Sequence, residues 1–194
     1  MGALPITTLS VEEYLALDRV AEVPSEYHDG ELFPIEAVTV AHSLICINIG
    51  SWLKSKLSNT ACHVVGSPLR VRVTPTKYVI PDLMVFCGKP ELADEYRDTV
   101  TNPKLILEVL SPSTADYDYG GKLMLYRRLP SFEEYVLVAQ DRPRIEIFRK
   151  AAENRWVLIT YEGLEAAAAI ESLDLSLPLK EVYEDVELPP ATVD

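Results

Sequence analysis

Two carboxylates stand where their neighbours give no ordinary reason for one. Glu108 lies inside Leu105-Ile106-Leu107-Glu108-Val109-Leu110, an apolar run set between Pro103 and Pro112. Such a run reads as a strand covered on both faces, where an ionised Glu is costly unless a cation, a metal or a catalytic role meets it. Asp82 follows Pro81 and opens Leu83-Met84-Val85-Phe86. Carboxylates on adjacent strands can point the same way and share a hard cation such as Mg²⁺, which takes oxygen ligands and keeps several waters. The bland alternatives are a turn cap for Asp82, which its place after Pro81 favours, and a buried ion pair for Glu108.

A candidate cation comes later in the chain. Lys122 sits in Asp118-Tyr119-Gly120-Gly121-Lys122-Leu123-Met124-Leu125-Tyr126, so Asp118, Lys122 and Tyr126 fall at i, i+4 and i+8 along one helical face. An exposed Asp118–Lys122 pair would contribute only a few tenths of a kcal/mol. If this face packs on the strand bearing Glu108, the ammonium enters an acidic site. There it can stabilise charge on a transferring phosphate or orient the attacking water. The spacing leaves both readings open.

Those residues need elements to hold them. Ser10 before Val11-Glu12-Glu13 predicts a helix start, with Ser10 as N-cap and Glu13 completing a capping box. Glu26 to Phe33 predicts a hairpin, because Asp29-Gly30 suits the positive φ angles of a type I′ turn. Extended chain follows over 35–40. Over 42–57 apolar residues recur at helical spacing, opposite Lys54 and Lys56. Strands are predicted around 63–65, 69–73, 83–86 and 134–139, with an antiparallel pair 144–149 and 156–161 turning at Glu153-Asn154. Arg70 and Arg72 alternate with apolar residues, so that strand turns one face to solvent or ligand, and with Lys77 they could flank a substrate groove. Residues 117–129 predict a helix stopped by Pro130.

The 194 residues suit a single domain: a flexible leader over 1–9, a core over about 10–162 and a peripheral extension over 163–194. No apolar stretch approaches bilayer length, and no signal peptide is visible, so no membrane partner is expected. Cys46, Cys62 and Cys87 are odd in number and widely spaced, and read as reduced core residues of a cytoplasmic protein. A net charge of -12 argues against a broad phosphate-binding surface. It leaves room for a local site where divalent ions supply the positive charge.

The ordered string resembles a known family. Glu26 with Asp29-Gly30-Glu31-Leu32, His42 at a helix start, Pro81-Asp82, Glu108-Val109-Leu110-Ser111-Pro112-Ser113-Thr114, then Asp118, Lys122, Tyr126 and Glu134-Tyr135 are similar to the Uma-two family of restriction-endonuclease-like proteins, within the PD-(D/E)xK nuclease superfamily. The resemblance implies an α/β fold, a mixed sheet flanked by helices, and Mg²⁺-dependent hydrolysis of DNA, Mn²⁺ substituting. Asp82 and Glu108 would be the metal ligands and Lys122 the catalytic lysine. The superfamily lysine expected two residues after the acid is Leu110 here, and its role would pass to Lys122. Glu31, His42, Asp118 and Tyr126 match positions near the site, although His42 at a helix start is more readily a cap or a hydrogen-bonded core residue than a metal ligand. The rival to an enzyme is an inactive module of the same fold. The exposed faces of the late hairpin, Trp156 included, allow a homodimer.

Overall fold

The computed structural model describes residues 8–111, 115–153 and 155–189. Pro112-Ser113-Thr114 of the family string, Asn154 at the predicted hairpin turn and residues 1–7 of the predicted leader lie outside them. Helix α1 (Val11–Asp18) begins at Ser10 with both hydrogen bonds of the capping box formed. Strands β1 (Ser25–His28) and β2 (Glu31–Pro34) form the hairpin, turning through Asp29 at φ 50° and Gly30 at φ 107°. Leu9, assigned to the leader, is held there: its N–H donates to Gly30 and its carbonyl accepts from the Tyr27 hydroxyl. Helix α2 (Val40–Lys56) starts two residues earlier than predicted, because the Thr39 hydroxyl accepts from the His42 N–H at 3.1 Å and so caps it.

Strands β3 (Cys62–Gly66), β4 (Arg70–Thr74), β5 (Lys77–Val79), β6 (Leu83–Cys87), β7 (Thr99–Val100) and β8 (Leu105–Leu110) follow. Helix α3 (Ala115–Tyr117), a π-helical turn (Asp118–Lys122) and α4 (Leu123–Tyr126) replace the single helix predicted over 117–129. Gly120-Gly121 is the poorest helix-forming pair in the segment, and the ladder widens there. Strands β9 (Glu134–Ala139), β10 (Arg144–Ala152), β11 (Arg155–Glu162), β12 (Ala167–Ile170) and β13 (Leu175–Pro178) and helix α5 (Leu179–Val182) complete the described chain.

The central sheet runs β11-β10-β9-β8-β6-β3 and is mixed, with β8 and β9 parallel and the other neighbours antiparallel. A second mixed sheet, β2-β1-β5-β4-β7, stands beside it. The predicted apolar strand is indeed covered on both sides. Leu105, Leu107 and Val109 share one core cluster with Ile45, Ile49 and Leu53 of α2. Ile106 belongs to the other cluster, with Leu123, Tyr126 and Tyr135. Since strand side chains alternate, Glu108 goes to the Ile106 side, beneath the π-turn.

Four expectations are corrected. The segment after residue 162 is not peripheral: Ala168, Ile170, Leu177, Leu179 and Val182 are fully buried in the α2 cluster. Cys62 and Cys87 are not reduced; they face each other across β3 and β6 and form a disulfide. Arg70 does not face solvent, because Asp18 of α1 takes its guanidinium at 2.5 Å and Asp98 at 3.0 Å. Trp156 is not an open face either, since it stacks on Phe132 at 5.4 Å.

Candidate active site

The register between β6 and β8 brings the two carboxylates together. Leu83 opposes Leu107, and continuing that antiparallel register one place sets Asp82 against Glu108 on the same face. The Asp82 N–H donates to Glu108 Oε2 at 3.2 Å, and the Val109 N–H donates to Asp82 Oδ2 at 2.8 Å. Asp82 is therefore more than a turn cap. It bridges two strands and keeps its side chain 22% exposed, whereas Glu108 is buried.

Lys122 arrives from the π-turn. Its Nζ lies 3.0 Å from Glu108 Oε1, 3.3 Å from Glu26 Oε1 and 3.5 Å from Asp118 Oδ1. The Tyr126 hydroxyl donates to Glu108 Oε1 at 2.9 Å. Of the predicted site residues, Asp82, Glu108, Lys122, Asp118 and Tyr126 thus meet in one cluster. The contact with Lys122 fits both the catalytic and the structural reading of Glu108. His42 joins the cluster with Nε2 3.1 Å from Asp82 Oδ2 and Nδ1 3.6 Å from Cys46 Sγ, while its backbone N–H serves the Thr39 cap. Glu31 does not join: it is exposed in β2, outside the cleft lining.

Three residues that sequence reasoning did not place at the site line it. Glu26 reaches Lys122 and accepts from the Ile80 N–H at 3.0 Å. His28 Nε2 lies 3.5 Å from Glu26 Oε2 and 3.1 Å from the Tyr117 hydroxyl. Only the family string singled out Glu26. His28 and Tyr117 carry no local signal, because long-range pairing of β1 with β5 and the seating of α3 bring them in.

Charge sets the character of the cluster. Burial pushes Glu108 up to about 8, against the pull of Lys122 and with Asp82, Asp118 and Glu26 adding to the rise. Burial also works against the Lys122 ammonium, but Glu108, Glu26 and Asp118 outweigh it and hold this group well above its ordinary value. Glu26 is opposed by burial too, yet Lys122 leads the groups that keep it below the usual range. Burial, then Glu108, holds the Tyr126 hydroxyl protonated as a donor.

Two donor sets could take a metal ion. The Asp82 and Glu108 oxygens suit a hard cation that keeps several waters. His42, Cys46 and Asp82 offer ligand atoms within 4.8 Å of one another, a softer set. That second set needs a thiolate, and burial, with Asp82 and Glu108 adding, pushes the Cys46 thiol well up. The oxygen pair fits the better. The cleft above it encloses about 670 Å³ and is lined by Glu26, Asp82, Glu108 and Lys122 as well as by Phe33, Val38 and Tyr117.

A mixed sheet flanked by helices, with an acidic pair at the end of two antiparallel strands, is the architecture of the restriction-endonuclease-like fold. A crystal structure of a protein from Anabaena variabilis ATCC 29413, described as a "putative nuclease", shares that fold at a TM-score of 0.73 and 18% identity, over 90% of this chain and 97% of that one. Residues 11–180 match the family model described as "Putative restriction endonuclease", Uma2, and the chain belongs to that family. Two uncharacterized proteins of Synechocystis sp. (strain ATCC 27184 / PCC 6803 / Kazusa) are similar. One is 29% identical over 180 residues, 92% of this chain and 93% of the relative. The other is 32% identical over 159 residues, 81% and 90% respectively. Among the described residues no helix is long and apolar enough to cross a membrane.

Proposed function

We propose that this site hydrolyses phosphodiester bonds of DNA in a reaction that requires Mg²⁺, with Mn²⁺ able to substitute. One observation carries the reading: Asp82, Glu108 and Lys122 meet on one face at the floor of an open cleft. The acidic excess around a single ammonium is the environment a divalent cation neutralises, and Asp82 and Glu108 are the residues that would hold it.

The cation would supply activation of a water and compensation of charge on the scissile phosphate. The chain's own residues do the rest. Tyr126 and the Asp82 N–H fix the two oxygens of Glu108, while Val109 and His42 fix Asp82. Lys122 stays charged and presents its ammonium to the phosphate, where it lowers the energy of the pentavalent arrangement. Preorganisation of this kind makes a small displacement of the docked helix costly to catalysis.

A second reading, an inactive module of the same fold, is favoured by the three carboxylates that already hold Lys122. A plasmid-nicking assay in Mg²⁺ separates the two. Cleavage by the wild type that Asp82→Ala, Glu108→Ala and Lys122→Ala each abolish supports the enzyme. Undiminished cleavage in the Asp82 or Glu108 variant would remove that residue from the mechanism, and a wild type that neither nicks DNA nor binds Mn²⁺ is the inactive module.

A further inference from the structure

The cleft has a wall that the carboxylate–lysine cluster does not use. Leu32, Phe33 and Val38, from β2 and the segment before α2, line it with apolar surface, and Phe33 is 47% exposed. Phe33 stands edge-on to His28 with centroids 5.1 Å apart, and His28 to Tyr117 at 6.0 Å. The Lys122 ammonium lies over the Tyr117 ring, 5.9 Å from its centroid. Three rings therefore lead from the open wall of the cleft to the lysine. The Tyr117 ring is seated on Gly121, where an added Cβ would collide with it.

Electrostatics limits what this wall can hold. Among the described lining residues Lys122 is the only lysine or arginine, against Glu26, Glu36, Asp82, Glu108 and Asp118. Proteins hold duplex DNA mainly through lysine and arginine contacts to phosphates. A site with a single ammonium gains most from contacts to the bases, whose faces a duplex buries in its own stack. Aromatic stacking contributes roughly 1–3 kcal/mol per base and tolerates any sequence.

We infer that the Phe33–His28–Tyr117 row is a nucleobase-binding subsite, and that the substrate is single-stranded or locally unpaired DNA, with a base against Phe33 and the adjacent phosphate toward Lys122. This rests on the reading that the site cleaves nucleic acid.

The test measures binding of a fluorescent single-stranded oligonucleotide and of its blunt duplex in Ca²⁺, and cleavage of both in Mg²⁺, for the wild type, Phe33→Leu and Phe33→Trp. The expected result is a clear preference for the single strand. Phe33→Leu, which keeps apolar contact but loses the ring face, should weaken it roughly 5- to 150-fold at an unchanged melting temperature, and Phe33→Trp should restore it. Equal binding and cutting of duplex, or indifference to Phe33→Leu, overturns the subsite and leaves the nuclease reading standing. Tight, Phe33-dependent binding of the single strand without cleavage supports the subsite and overturns the catalytic reading. Neither binding nor cleavage of either DNA overturns both.

Discussion

Asp82 and Glu108 are fastened to each other through the backbone: the Asp82 N–H donates to Glu108 Oε2 at 3.2 Å, and the residue after Glu108 returns an N–H to Asp82 Oδ2 at 2.8 Å. Each carboxylate is oriented by the strand that carries the other. The pair is set by the sheet register rather than by flexible side chains, and a slip of one residue in either strand would part the two acids onto opposite faces.

Proton linkage at Glu108 should be visible in stability. The folded chain keeps this proton up to about pH 8, whereas the unfolded chain releases it near 4.5. Between those values the folded state binds the extra proton, so its contribution to stability is complete below 4.5 and lost as pH rises through 8. The melting temperature of Glu108→Gln minus that of the wild type should therefore climb across this window and level off above it. A flat difference would mean that Glu108 ionises normally.

The two glycines of the π-turn should behave oppositely. A Cβ at Gly120 meets nothing within 4 Å, while one at Gly121 collides with the Tyr117 ring. Gly120→Ala should be neutral or stabilise by up to about 1 kcal/mol, the usual helical preference for Ala. Gly121→Ala should displace the ring and cost about 1–3 kcal/mol as overpacking does. Thermal melts of the two variants compare them directly.

Docking of α1 hangs on a buried ion pair. Arg70 holds Asp18, whose other oxygen accepts the Ser25 N–H at 2.6 Å. Arg70→Ala leaves that carboxylate unpaired and should destabilise the fold by about 3–5 kcal/mol, measured by denaturant unfolding. A loss well under 1 kcal/mol would show that water replaces the guanidinium.

The Cys62–Cys87 bond closes a separation of 25 residues. In the chain-entropy view a loop of that size contributes about 3.5 kcal/mol. Dithiothreitol should therefore lower the melting temperature of the wild type and leave a Cys62→Ser, Cys87→Ser variant unaffected. Equal melts with and without reductant would dismiss the bond as a stabiliser.

What the sequence disclosed was local or energetically loud. The Ser10–Glu13 capping box and the Asp29-Gly30 turn are specified by adjacent residues, and Glu108 stood out because an acid in a covered strand demands a partner. Lys122 could be named, but its docking depended on a π-turn that helical spacing does not announce. The parts played by Glu26, His28, Arg70 and the disulfide were not legible for a shared reason. Each is defined by a partner far along the chain, Ile80 for Glu26 and Asp18 for Arg70, and only strand pairing reveals it. Glu31 misled because its own strand, β2, reaches the cleft through Leu32, Phe33 and Pro34 instead.

Glu134 is buried, paired with Arg149 at 2.6 Å, and accepts the N–H groups of Glu171 and Ser172 at 3.2 and 2.9 Å. That clasp ties the strand beside Glu108 to the layer formed by β12, β13 and α5. For anyone trimming the chain to a minimal catalytic fragment, the consequence is unfavourable. Cutting after β11 would keep every residue of the candidate site. It would also take Ala168, Ile170, Leu177, Leu179 and Val182 out of the core cluster that holds Ile45 and Ile147, and leave Glu134 short of two donors. The last segment is the lid of the core, and a shorter protein would be a stickier one.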